Sequence, residues 1–163
     1  MRKFKFYATS LLILSILFIG FSSCKKVCKI EADDVDSGLI VESVAIYPLH
    51  GYITQEMSDE YHVHDASSIA HKFKMSTDNG FTQSPFNYGE YSILAYPMTL
   101  NCSFSIVRDV RVNDANMTAT YTITVTQCKN PECSEQRYIE NFIAVPAIPE
   151  SYTILHDISI VEQ

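Results

Sequence analysis

Met117-Thr118-Ala119-Thr120-Tyr121-Thr122-Ile123-Thr124-Val125-Thr126-Gln127-Cys128 is the stretch from which the fold reads most directly. Ala119, Tyr121, Ile123 and Val125 alternate with Thr118, Thr120, Thr122, Thr124 and Thr126, the period of two that sends neighbouring side chains to opposite faces of a strand. β-Branched and aromatic residues suit such a pleated, half-buried surface. One face is apolar and belongs to a core, while the five threonines of the other form a wall turned to solvent.

Runs of the same kind flank it. Residues 99–107 place Leu100, Cys102, Phe104 and Ile106 on one face against Thr99, Asn101, Ser103 and Ser105 on the other. Residues 137–145 and 151–161 follow, separated by Pro146-Ala147-Ile148-Pro149. Upstream lie residues 91–96, closed by Pro97, residues 71–75, which run into the turn signal Asp78-Asn79-Gly80, and residues 39–47, stopped by Pro48. Residues 49–70 alternate only at 52–54 and 61–64, leaving loops, short edge strands or a poorly periodic helix over 56–70 as readings. Seven or eight strands punctuated by Gly, Pro and Asn predict an all-β domain over residues 38–163, an antiparallel β-sandwich of immunoglobulin-like, Greek-key type.

Ahead of that domain, Arg2, Lys3 and Lys5 open the chain and an apolar run from Leu11 to Phe21 follows, the two parts of a secretory signal. The run is shorter than the about 20 apolar residues that a bilayer-spanning helix needs. It ends in Phe21-Ser22-Ser23-Cys24. This tetrapeptide resembles the end of a bacterial lipoprotein signal: small Ser22 and Ser23 let a peptidase approach the backbone, and the Cys24 thiol supplies the nucleophile for diacylglyceryl attachment. Phe21 stands where such signals usually carry Leu. With the lysines behind it, the segment is similar to small lipoproteins of the Bacteroides group, a resemblance that covers about the first thirty residues and brings no activity with it. It implies a signal peptide over 1–23, a lipidated tether over 24–37, and attachment to the outer membrane through the lipid on Cys24.

Of the 163 residues, 23 precede Cys24, which leaves 140, enough for one ordinary domain. Loss of Arg2, Lys3 and Lys5 takes the formal charge from −7 to −10. Nucleic acid is excluded as a partner by that balance, and adhesion to anionic headgroups through protein charge is excluded with it. Residues 25–37, dense in charge and poor in apolar side chains, read as a solvated spacer. Within them Asp34-Val35-Asp36-Ser37-Gly38 imitates the start of a Ca²⁺ loop but lacks its closing Glu, Glu42 coming too early.

Once Cys24 is lipidated, Cys28, Cys102, Cys128 and Cys133 remain, an even number that permits three pairings in an oxidising compartment. Cys128 and Cys133 bracket a turn containing Asn130-Pro131 between two strands. The expected pairs are therefore Cys128–Cys133, a staple across that hairpin, and Cys28–Cys102, which pins the tether to the sheet.

His62 and His64 leave the same face of an extended segment, with Asp65 next and His71 seven residues on, and are the candidate metal ligands, although polar residues on a wet edge strand share the pattern. The chain has neither a Gly-x-Ser-x-Gly elbow nor a phosphate-cradling glycine loop, and Asp59 and Glu60 would point apart on a strand, so no enzyme and no cofactor are expected. Asn116-Met117-Thr118 matches a glycosylation acceptor that is usually idle in bacteria. Tyr52, Tyr61, Tyr88 and Tyr91 are the candidate binding face, since a tyrosine ring joins apolar area to a hydrogen-bonding tip. The leading expectation is a non-enzymatic binding or scaffolding module of the cell envelope for a protein or glycan. The others are a subunit of a surface assembly joined by strand addition through residues 151–161, and a metal-handling protein using His62 and His64.

Overall fold

The structure is a computed structural model and describes residues 28–49, 62–78, 80–101, 103–129 and 136–163. Among these residues the chain forms strands β1 (Val35–Gly38), β2 (Ala45–Pro48), β3 (His62–Val63), β4 (Phe73–Ser76), β5 (Ser84–Pro85), β6 (Tyr91–Leu94), β7 (Met98–Asn101), β8 (Phe104–Asn113), β9 (Thr118–Gln127), β10 (Gln136–Ile139), β11 (Ile143–Pro146) and β12 (Thr153–Glu162), with one 3₁₀ turn at Ala70–Lys72. The protein is all-β, as the alternation predicts.

The central stretch behaves as its period dictates. Ala119, Tyr121, Ile123, Val125 and Gln127 of β9 are buried and the threonines between them are half-buried, because strands flank β9 on both sides. β8 and β9 form an antiparallel hairpin in register from Phe104↔Gln127 to Asn113↔Thr118. Its tip closes through Met117, whose φ of 48° lies in the left-handed region, and through an Asn116 amide that donates to Asn113 Oδ1 at 3.2 Å.

Outside this hairpin the sheet departs from the antiparallel expectation. Its order is β1-β8-β9-β12, and both outer strands are parallel to their neighbours, β1 to β8 and β12 to β9. The physical reason is connectivity: only a short hairpin loop forces antiparallel pairing, and neither outer strand is joined to its neighbour by one.

Three further small sheets, β10-β7, β11-β6-β3 and β2-β4-β5, replace the few long strands expected elsewhere. Residues 99–107 divide between β7, which pairs with β10, and β8. Residues 137–145 divide at Asn141, which is buried with φ 48° and so breaks the ladder between β10 and β11. Of residues 39–47, only Ala45–Tyr47 belong to a strand, since the amides of Leu39 and Val41 are drawn to the carbonyls of Val110 and Ala144 on different sheets. The helix considered over 56–70 lies partly outside the described residues, and its described part forms β3 and turns.

Two cores lie on opposite faces of β6 and β11. Ile93, Ala95 and Ala144 point to a core that includes Val63, Phe73, Met75 and Phe86. Leu94, Ile143 and Val145 point to the other, against Ile106, Val110, Tyr121, Ile123 and Val125 of β8 and β9. Burial on both faces explains why Ser92-Ile93-Leu94 and Ile143-Ala144-Val145 read as continuous runs rather than alternating ones.

The spacer expected over 25–37 is, from Cys28 onward, part of this fold. Val35–Gly38 extend the sheet beside Val107–Val110. Asp34 Oδ1 accepts from the Ile106 amide at 2.9 Å, and the half-buried Asp36 carboxylate lies 2.8 Å from Arg108 Nε. Within the acidic run, Asp34 and Asp36 thus lie against the Ile106 amide and the Arg108 guanidinium of β8. Gly38 ends β1 at φ 70°, so close to β8 that a Cβ would run into the Val110 carbonyl oxygen.

The cysteine pairing is also corrected. Cys28 is bonded to Cys128, with Cα atoms 5.8 Å apart, in place of the expected Cys128–Cys133 and Cys28–Cys102 pairs. Three segments converge there: the Ile30 amide donates to Ser103 Oγ at 2.8 Å and the Cys128 amide to the Ser103 carbonyl at 3.1 Å. Sequence proximity favours a hairpin staple, but the segment ahead of β1 runs beside the end of β9 and sets Cys28 against Cys128. Cys102 and Cys133 lie outside the described residues, as does Cys24.

Candidate functional site

β3 places its two histidines by simple alternation. Val63 is buried in the first core, so His62 and His64 leave the other face, their ring centroids 5.1 Å apart. The chain then turns sharply: the His64 amide donates to Ser67 Oγ at 3.1 Å, the Ser67 amide to the His64 carbonyl at 3.0 Å, and the Ala66 amide to Asp65 Oδ1 at 3.0 Å. That turn sets Asp65 Oδ1 3.9 Å from His64 Nδ1.

A third group arrives from far along the chain. The loop between β11 and β12 is pinned to β6, with the Ile148 amide donating to the buried Ser92 Oγ at 3.0 Å and the Ala147 amide to the Glu90 carbonyl at 3.0 Å. A turn closed by the Tyr152 amide on the Pro149 carbonyl then carries Glu150 to His64, Oε1 to Nδ1 3.0 Å. His64, Asp65 and Glu150 each offer one ligand atom within 4.8 Å of the others. His62 is not one of the three. Burial foremost, and then the neighbouring His64, push its pKa below the usual imidazole value, Glu150 opposing them, and its Nε2 is buried without a hydrogen bond among the described residues. His71 sits exposed on the 3₁₀ turn, outside the cluster.

The other face of the same loop walls an open groove of about 750 Å³ lined by Leu39, Val110, Val112, Ile148 and Tyr152. Beyond Tyr152 the chain enters β12, which forms one edge of the large sheet. The amides of Thr153 and Gln163 donate to β9-side carbonyls, those of Met117 and Gln127. By the two-residue period, residues 154, 158, 160 and 162 therefore direct their amides and carbonyls away from β9, and no strand among the described residues pairs with them. Leu155, Ile160 and Val161 are about half exposed along this edge.

Of the four tyrosines expected to form a binding face, Tyr88 and Tyr91 are described, and both are half-buried. Tyr88 donates its hydroxyl to the Ala70 carbonyl at 2.9 Å and stacks on Phe86 with centroids 4.7 Å apart; burial pushes its pKa up. Tyr91 packs against the same core, 6.4 Å from the Phe86 ring. Both rings pack against the first core. Tyr52 and Tyr61 lie outside the described residues. Glu150 is the residue that sequence reading missed: it stands in a proline-flanked loop with no periodicity to mark it.

No family model, curated protein or solved structure matches the chain.

Proposed function

We propose that the protein is a lipoprotein of the cell envelope, held in the outer membrane through Cys24, whose domain is a non-enzymatic binding module that takes up a strand of a protein partner along β12. The observation that carries this reading is the edge of β12, which no other strand among the described residues covers: ten residues long, with exposed Leu155, Ile160 and Val161, and free of Pro, Lys and Arg, residues that often blunt sheet edges. Main-chain groups at residues 154, 158, 160 and 162 supply affinity, and alternate side chains supply specificity. Asp157 and Glu162 favour an extended partner segment bearing Lys or Arg. The second core, shared by the large sheet and β11-β6-β3, supports reading this part of the domain as a sandwich.

Two measurements test the reading. A palmitate analogue fed to cells labels the wild type and not Cys24→Ser; equal labelling removes the anchor. A photo-cross-linker at Ser159 captures a protein in intact cells, and Ile160→Pro, which removes an outward amide without touching the β9 ladder, abolishes capture. Capture no greater than from a probe at exposed Phe81, in the loop between β4 and β5, removes the docking edge.

A further inference from the structure

We infer that His64, Asp65 and Glu150 form a binding site for a single divalent transition-metal ion of the Zn²⁺ class. Ligand atoms about 2.1 Å from an ion lie about 3.0 Å apart in an octahedral site and about 3.4 Å apart in a tetrahedral one. The observed separations from His64 Nδ1, 3.0 Å to Glu150 and 3.9 Å to Asp65, bracket those values without any ion to draw the groups together.

A second observation concerns orientation. His64 Nδ1 is buried and only 3.0 Å from Glu150 Oε1, yet among the described residues it makes no hydrogen bond, so the carboxylate oxygen stands off the axis of the ring nitrogen. Two atoms bonded to one ion stand in that relation, because the ion occupies the nitrogen's in-plane axis and the oxygen lies to its side. A nitrogen hydrogen-bonded to a carboxylate instead aligns with it.

The donors are preorganised from outside. Asp65 Oδ1 is held by the Ala66 amide, His64 by the Ser67 turn and by the adjacent His62 ring, and the loop carrying Glu150 by Ser92 and Glu90. Such outer contacts orient ligands in metal sites. One imidazole with two carboxylates suits a borderline ion and disfavours Ca²⁺ and Mg²⁺, which prefer oxygen ligands alone. Three protein ligands leave a position for water, and a bound ion ties the β3 turn to the loop that leads into β12.

The test is titration of the untagged full chain, in detergent micelles, with ZnCl₂ by calorimetry and with CoCl₂ by visible absorption. We expect one Zn²⁺ per chain, Co²⁺ bands that vanish in His64→Ala, and Kd raised at least about tenfold in both His64→Ala and Glu150→Gln. His71→Ala binds as the wild type. Glu150 is exposed, so Glu150→Gln keeps its fold even where His64→Ala does not. No saturable binding below about 1 mM, wild-type affinity in Glu150→Gln, or equal loss in His71→Ala overturns the site.

Discussion

Cys28 and Cys128, separated by 100 residues, are joined by a disulfide that ties the segment ahead of β1 to the end of β9. A bridge over so long a loop restricts the denatured chain more than a hairpin staple would. The loop-closure model puts the effect at about 4–5 kcal/mol.

Cys28→Ser is therefore expected to lower unfolding free energy by about 2–5 kcal/mol, read from urea denaturation. Cys28 is the better choice because Cys128 is fully buried and its replacement adds a packing defect. A reducing agent should bring the wild type to the same midpoint. An unchanged midpoint on reduction would show that the bridge is not formed.

Gly38 is a point where backbone and not side chain decides. At φ 70° and against the Val110 carbonyl, Gly38→Ala should cost about 1–3 kcal/mol and loosen β1 from β8. Faster amide exchange at Leu39, whose N–H donates to Val110 O at 3.0 Å, reports the loosening.

Tyr121 stands at the middle of β9, fully buried, with its hydroxyl donating to the Asn141 carbonyl at 3.1 Å; burial pushes its pKa up. Tyr121→Phe leaves that carbonyl unpaired and should cost about 1–2 kcal/mol. Asn141→Ala should cost at least as much, because it loses both the left-handed preference at φ 48° and the 3.1 Å bond from Nδ2 to the Tyr96 carbonyl. Full retention of the wild-type melting temperature in both variants would argue against this link between β9 and the β10–β11 break.

Asp78 gives a pH signature. The Ser76 hydroxyl foremost, and then the Thr82 amide, hold its carboxyl down at about 2 from an ordinary 3.8. A depressed folded value means that its contribution is complete above 3.8 and is lost as pH falls through about 2. A carboxyl titration by NMR should place the Asp78 midpoint near the lower value, and Ser76→Ala should return it toward the upper. A midpoint unmoved by Ser76→Ala would show that the 2.6 Å hydroxyl bond is not its cause.

Legibility in the sequence followed how local each feature is. The class and the strand β9 were readable because a period of two over Thr118–Gln127 is written in adjacent residues, whereas its pairing with Phe104–Asn113 was not. The breaks at Asn141 and between β7 and β8 were hidden, since alternation runs through them while the pairing partners change. Beside the candidate metal site, the shared face of His62 and His64 was legible, but the approach of Glu150 to His64 was not.

The sequence alone determined an all-β chain, the buried face of β9 and the shared face of His62 and His64, because each follows from side-chain spacing along a few residues. Tertiary structure alone decided that Cys28 meets Cys128, that the acidic run becomes an edge strand under Arg108, and that Glu150 closes on His64. Those contacts join residues that spacing cannot relate. They exist only because two cores fix where each sheet edge and loop must lie.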